Sequence, residues 1–222
     1  MTNKTYTVPI NNKTLAVLKN FSTINPSIYI QGGNVLRTIS PTRTIMARAY
    51  IDDDFSTNFA IYDLSKFLSV ISFFENPSIT FESEMSAKIS GDSDYRSINY
   101  HFAEPSNIVY TEKDPVFDNY DVSFEITKKS LIDVSKAMGI LGLPGFAFIG
   151  DGSTISIEAL DQKKKGSTYS EMLTNSNKKF SIYLSAESIK MLPSDYSVRI
   201  STKGLVNFKS AEIEYWVAAE NV

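Results

Sequence analysis

The pattern of this chain is repeated. Ile10 falls on Ile126, an offset of 116, and the same offset sets Lys13 on Lys129, Thr14 on Ser130, Leu15 on Leu131 and Leu18 on Val134. It returns at the far end, where Pro77-Ser78 falls on Pro193-Ser194 and Asn99-Tyr100 on Tyr215-Trp216. Between these points, with a slightly larger shift, Ala60-Ile61-Tyr62 matches Ser181-Ile182-Tyr183. Single matches are cheap, but elements repeating in the same order are not, and they point to an internal duplication. With 222 residues, 42% of them hydrophobic, each half has enough apolar surface for a core of its own. The expected division is a first domain over 1–103, a connector over 104–120 that carries Pro105 and Pro115 without periodicity, and a second domain over 121–222.

Within each repeat, strands outnumber helices. Lys13 to Asn25 reads as an amphipathic helix. Leu15, Val17, Leu18, Phe21 and Ile24 share one side at a period of 3.6, and Lys13, Ala16, Lys19, Asn20 and Thr23 share the other. Thr14 or Asn12 is the expected cap, and Pro26 ends the helix. Ser27 to Ile30 and Val35 to Ser40 flank Gln31-Gly32-Gly33-Asn34, a hairpin signal, and Thr44 to Ile51 reads as the next strand. Asp52 to Asn58 reads as a loop, followed by a strand from Phe59 to Tyr62 and a second helix from Asp63 to Phe74. Alternating segments follow near Ile79 to Glu82, Ala87 to Ser90 and Tyr95 to Phe102, with the turn Gly91 to Asp94 between the last two. The second repeat gives a strand at Val122 to Ile126, a third helix at Lys128 to Met138, a hairpin of Phe146 to Ile149 with Thr154 to Leu160, and a fourth helix at Ser185 to Leu192. Two short helices per unit cannot cover both faces of a sheet. The expected class is therefore α+β, antiparallel sheet with the helices on one face.

Charge is unevenly distributed. The chain carries a net −3 and has a pI near 5.3, yet the outward faces of the four expected helices hold seven lysines and two acids, a net +5, which leaves −8 for the rest. The wheel places Lys13, Lys66, Lys128, Lys129, Lys136 and Lys190 there, together with Lys19. Basic helix faces on an otherwise acidic body suit contact with duplex DNA by charge alone. Arginine is absent from these faces and their neighbours are small, so neither base readout nor single-strand stacking is expected. The plainer alternative is that these lysines are simply solvated. The chain has no cysteine and so no disulfides, zinc ribbons or thiol nucleophiles. No apolar run reaches about 18 residues and the start, Met1 to Thr7, is polar, so the expectation is a cytoplasmic protein with no membrane span and no cofactor.

The segments L-A-V-L-K-N-F-S-T-I-N at Leu15 to Asn25 and F-A-I-Y-D-L-S-K-F-L at Phe59 to Leu68 resemble the sliding clamps of T-even-type bacteriophages, the DNA polymerase processivity factors. Weaker similarity runs through the second repeat to Glu214 to Glu220. The resemblance implies a ring of six similar domains around duplex DNA with helices lining the hole. Two domains per chain then imply a homotrimer in the cytoplasm of the infected bacterial host. Lys19 matches a hole-facing basic residue of that family. Implied partners are the DNA polymerase, a clamp loader and factors of viral late transcription. The implied pocket for short partner tails lies by the connector and the carboxyl end, here Val116, Phe117, Tyr120 and Val217, Ala218, Ala219. Phe117 and Tyr120 would otherwise serve to tack the connector down. The expected subunit seam sets Tyr95, Ile98, Tyr100 and Phe102 against Tyr169 and Leu173.

Rival readings have thinner support. An enzyme would need His101, the one histidine, or Asp52-Asp53-Asp54, Asp92, Asp94 or Lys163-Lys164-Lys165, and none stands in a catalytic or ligand spacing. No phosphate loop or nucleophile elbow occurs. A β-rich virion or scaffold protein without a DNA function fits the composition but not the segregation of charge.

Overall fold

The computed structural model describes residues 5–93 and 95–220, and divides the chain into two units, Met1–Asp114 and Pro115–Val222. Asp94, named above as a turn residue, lies outside the described residues.

In the first unit, β1 (Tyr6–Pro9), β6 (Ser78–Phe81), β7 (Ser86–Ser90) and β8 (Ser97–His101) form one antiparallel sheet in the order β1-β6-β7-β8. Tyr6 stands opposite Phe81, Ile79 opposite Ile89 and Ala87 opposite Tyr100. The remaining strands are β2 (Ile28–Ile30), β3 (Gly33–Ile39), β4 (Ile45–Phe55) and β5 (Phe59–Ile61), with β3 paired to β4 and β2 to β5. The helices α1 (Asn12–Ile24) and α2 (Leu64–Ile71) pack on one another, and α1 lies over β3 and β4. Val17, Leu18, Phe21 and Ile24 of α1 and Leu64, Phe67, Leu68 and Ile71 of α2 are buried, which is the stripe their spacing predicts. Phe55, Phe59, Phe81 and Phe102 fill the space beneath, with ring centroids 4.8 to 6.5 Å apart.

The second unit repeats this plan with β9 (Val122–Ile126), α3 (Lys128–Leu141), β10 (Gly145–Asp151), β11 (Thr154–Leu160), β12 (Tyr169–Asn175), β13 (Lys179–Ser185), β14 (Tyr196–Ser201), β15 (Leu205–Lys209) and β16 (Ile213–Ala218). The ladder β9-β14-β15-β16 matches β1-β6-β7-β8 strand for strand, and β12-β11-β10-β13 matches the β4, β3, β2, β5 set. The caps repeat as well. Asn11 Oδ1 accepts from the Thr14 N–H at 2.8 Å and Thr127 Oγ1 from the Ser130 N–H at 3.1 Å, each pair displaced by the same 116 positions, and Thr14 and Ser130 are both buried. Gly142 closes α3 in the left-handed region at φ 63°, where a Cβ would be strained. Gly145 is favoured for a different reason: a Cβ there would clash with the Leu184 carbonyl oxygen.

The structure corrects four expectations. The fourth helix is absent: Ala186–Ser188 is a single 3-10 turn, and residues 189–195 are irregular. Ser185 at its start bonds the Ser188 hydroxyl at 3.0 Å and caps no backbone N–H. At the other end, the Leu192 N–H donates to Tyr215 Oη and the Leu192 carbonyl accepts from Tyr196 Oη, so tertiary hydroxyls take the groups a helix would use. An eight-residue helix is marginal without its cap. The space this leaves beside α3 is a cleft of about 190 Å³ lined by Leu131, Ile132, Ser135, Lys136, Ile189, Met191 and Pro193. The second correction is that β2 pairs with β5 and not with β3 across the Gly32-Gly33 turn. Third, Asp52 to Asp54 belong to β4, where the Asp53 carboxylate accepts from the Asn11 backbone and amide at 3.1 and 2.8 Å. Fourth, the α1 cap is Asn11, neither Asn12 nor Thr14.

Candidate nucleic-acid interface and partner strap

The basic residues fall on the outer faces of three helices. Lys19 on α1, Lys66 on α2 and Lys128, Lys129 and Lys136 on α3 are exposed, which follows from apolar stripes that turn the opposite side of each helix outward. Lysines named above are also engaged locally. Lys13 is half-buried and lies 3.3 Å from Asp52, and Lys129 bonds Asp133 one turn along α3. The Asp133 hydrogen bond raises the Lys129 ammonium above its ordinary pKa, and the same bond lowers the Asp133 carboxyl. Exposed pairs of this kind are screened by solvent and leave both groups open to other ions. Lys190 does not share the arrangement: the helix whose wheel placed it is absent, and it sits half-buried in the irregular segment after the 3-10 turn.

The second group lies on and around the connector. Val116 is 87% exposed, Tyr120 is exposed with the Arg199 guanidinium 5.3 Å above its ring, and Phe117 is half-buried. Ala218 and Ala219 are half-buried, and the Ala219 N–H donates to the Gly204 carbonyl at 2.8 Å. Val217 departs from the expectation. Its side chain is fully buried in β16 and belongs to the core, so it does not line an open surface.

The strands named for the subunit seam are both outer strands of their sheets, β8 at one end of β1-β6-β7-β8 and β12 at one end of β12-β11-β10-β13. Tyr95 is 98% exposed, and Ile98, Tyr100, Tyr169 and Leu173 are half-buried. Phe102 is instead a core residue, packed against Phe59 and Phe81. The Tyr169 hydroxyl donates to Glu171 at 2.8 Å. Burial, and after it that carboxylate, pushes Tyr169 up to about 12. Glu171 also accepts from the Ser130 hydroxyl at 2.7 Å, which ties β12 to the first turn of α3.

Sequence reasoning missed a set of residues that hold the connector. Arg37 on β3 and Arg48 on β4 are direct cross-strand partners, and the Asp114 carboxylate bridges them at 2.9 and 2.6 Å. Nothing local signals this, because Asp114 is 77 and 66 residues from the two arginines. Burial alone would raise Asp114, but the hydrogen bonds and charges of Arg37 and Arg48 outweigh it and hold the carboxyl below its ordinary range. Asn25, also buried, donates its amide to the Ile39 and Val109 carbonyls at 2.8 Å each, and Tyr110 packs on Tyr29 with centroids 4.6 Å apart.

The residues considered for catalysis are not assembled into a site. His101 is exposed on β8, Lys163, Lys164 and Lys165 are exposed after β11, and Asp92 accepts from the Asn76 amide. Among the described residues no group of three acidic or histidine side chains is placed to hold a metal ion, and no helix is long and apolar enough to cross a membrane.

Two units of this topology in one chain define the DNA-clamp fold, and solved structures of that class superimpose on it. PCNA of A. fulgidus, in a structure with the C-terminal region of FEN-1, matches with a TM-score of 0.69 at 13% identity over 97% of this chain and 98% of that one. The particular resemblance is to the sliding clamps of T4-like phages. The chain is 27% identical to the sliding clamp of Vibrio phage KVP40 over 95% of its length and 98% of the relative's. It is 28% identical to the sliding clamp of Escherichia phage RB69 over 95% and 96%. Residues 11–110 match the family model described as DNA polymerase processivity factor.

Proposed function

We propose that this protein is a sliding clamp that closes as a homotrimeric ring around duplex DNA and tethers the replicative DNA polymerase of a phage. The observation that carries the reading is the duplicated order of strands, with a capped first helix in each unit, in a chain similar along 95% of its length to proteins named sliding clamp. Lys19, Lys66, Lys128, Lys129 and Lys136, with Lys13 more loosely, form the basic lining, which attracts phosphate without reading bases. Lys190 is left out of it. The two clamp domains span 1–103 and 121–222, and 104–120 joins them. Val116, Phe117 and Tyr120, with Ala218 and Ala219, receive a short apolar tail of the polymerase or of a clamp loader. The A. fulgidus PCNA, seen with the C-terminal region of FEN-1 bound to it, supports this use of the fold. The outer strands β8 and β12 meet between subunits, because an unpaired strand edge is a ready partner for another. Such a chain works in the host cytoplasm. Topology rather than contact energy would keep the ring on DNA, so affinity for linear duplex is expected to be low.

Light scattering tests the assembly. A mass three times the 24.8 kDa of one chain is expected at micromolar concentration, and a monomer there would overturn the ring.

A further inference from the structure

The connector is held very unevenly along its length. Up to Asp114 it is fixed to its own unit by the Asn25 amide on Val109, by the Tyr110 ring on Tyr29 and by the Asp114 bridge between Arg37 and Arg48. The bridge is more than a tether. Two guanidinium groups directly opposite on neighbouring strands repel, and the Asp114 carboxylate is the anion that makes their pairing favourable. Both arginine side chains are about one-fifth exposed and Asp114 one-quarter, so water screens the bridge only partly. At the far end Asp121, although exposed, is fixed within the second unit by hydrogen bonds. Its N–H donates to the Ile200 carbonyl at 2.8 Å, and its carboxylate accepts from the Thr202 N–H at 2.7 Å and the Thr202 hydroxyl at 2.8 Å. Between these two carboxylates lie Pro115 to Tyr120, where Pro115 has no N–H to give and Val116 holds its side chain in water.

We infer that Asp114 and Asp121 are positioning residues that pin the two ends of a strap, Pro115 to Tyr120, and so hold its apolar side chains where a partner's apolar carboxyl-terminal peptide can pack on them. This rests on the reading of Val116, Phe117 and Tyr120 as a peptide site. The physical gain is preorganisation. With both ends fixed, binding has to order only the strap, whereas without Asp114 it must also order the chain back toward Val109, and each freed residue adds backbone entropy to be lost.

Hydrogen exchange over 108–120 and titration with a synthetic peptide of the cognate polymerase's carboxyl-terminal segment test this on the full-length protein, with variants Asp114→Asn, Asp121→Asn and Asp114→Glu. Asp114→Asn is expected to speed exchange at 108–114 and to weaken the peptide about tenfold, while Asp114→Glu, which keeps the charge, recovers most of the affinity. Asp121→Asn acts likewise on residues 119–122. Unchanged exchange in both Asn variants, or faster exchange with peptide affinity within about twofold of wild type, overturns the inference. Phe117→Ala separates the two readings. Equal peptide affinity in wild type and Phe117→Ala, or none in either, removes the peptide site itself, and the anchors are then decided by exchange alone. An unchanged far-UV spectrum and oligomer mass show that a variant still folds.

Discussion

Asp114 shows what one carboxylate can do when its partners are distant in sequence and adjacent in space. Asp114→Asn keeps the shape and removes the charge, leaving Arg37 and Arg48 facing each other at neutral pH. A loss of about 1–3 kcal/mol is expected from a partly buried bridge of this kind, read as a lowered urea midpoint of the first unit. The pH dependence has a definite sign. Arg37 and Arg48 hold the folded Asp114 below its unfolded value, so its contribution is complete above about pH 4 and is lost as the pH falls through the folded value. The gap between wild type and Asp114→Asn should therefore be constant from neutral pH down to about pH 5 and close in stronger acid. A gap that persists unchanged at about pH 2 would show that packing, not charge, accounts for the loss.

Among the elements, the helices show how far local pattern reaches. The stripes of α1, α2 and α3 were legible from apolar residues at helical spacing, whereas the caps were not: Asn11, Asp63 and Thr127 each accept from the backbone N–H three residues on. Thr127→Ala is expected to cost about 1 kcal/mol, measured by thermal unfolding, and Asn11→Ala more, because the Asn11 amide also donates to Asp53. Ser185 to Leu192 has a comparable stripe but no cap, and its last backbone groups are claimed by Tyr196 and Tyr215, which no local window reveals. Burial pushes both of those phenols well above their ordinary range, in keeping with hydroxyls committed to Leu192 and to each other. Pro193→Ala should accordingly leave the helical signal in the far-UV spectrum unchanged, since proline is not what prevents the helix. The same limit explains Asp52 to Asp54. Three aspartates read as a loop until Asn11, 42 residues away in sequence, is seen holding Asp53 at the end of β4. Phe102 and Val217 show the same limit: both are core residues, which neither their local pattern nor the resemblance that named Val217 reveals.

For the whole molecule, the proposed lining and the proposed seam are what experiment can test. Changing Lys128, Lys129 and Lys136 together to Glu reverses the exposed charge of α3 without touching Leu131, Val134 or Met138, which bury it. The expected outcome is reduced loader-dependent processivity of the polymerase with trimer formation intact, and unchanged processivity would count against these lysines facing DNA. At this scale the repeat made two similar units legible, and it was the family resemblance that implied a ring completed by several chains. The seam carries one more consequence. β8 and β12 are unlike surfaces, so a contact between them is head-to-tail and leaves a free β8 and a free β12 at the ends of every incomplete assembly. Such a series ends only when each step turns the next chain through a third of a revolution. In the proposed seam, the hydrogen bonds that Tyr169 and Ser130 donate to Glu171 tie β12 to the first turn of α3 and so bear on how that edge is presented to the next chain. A substitution there that altered the pitch by a few degrees would yield open filaments growing from both ends, from chains that are individually well folded.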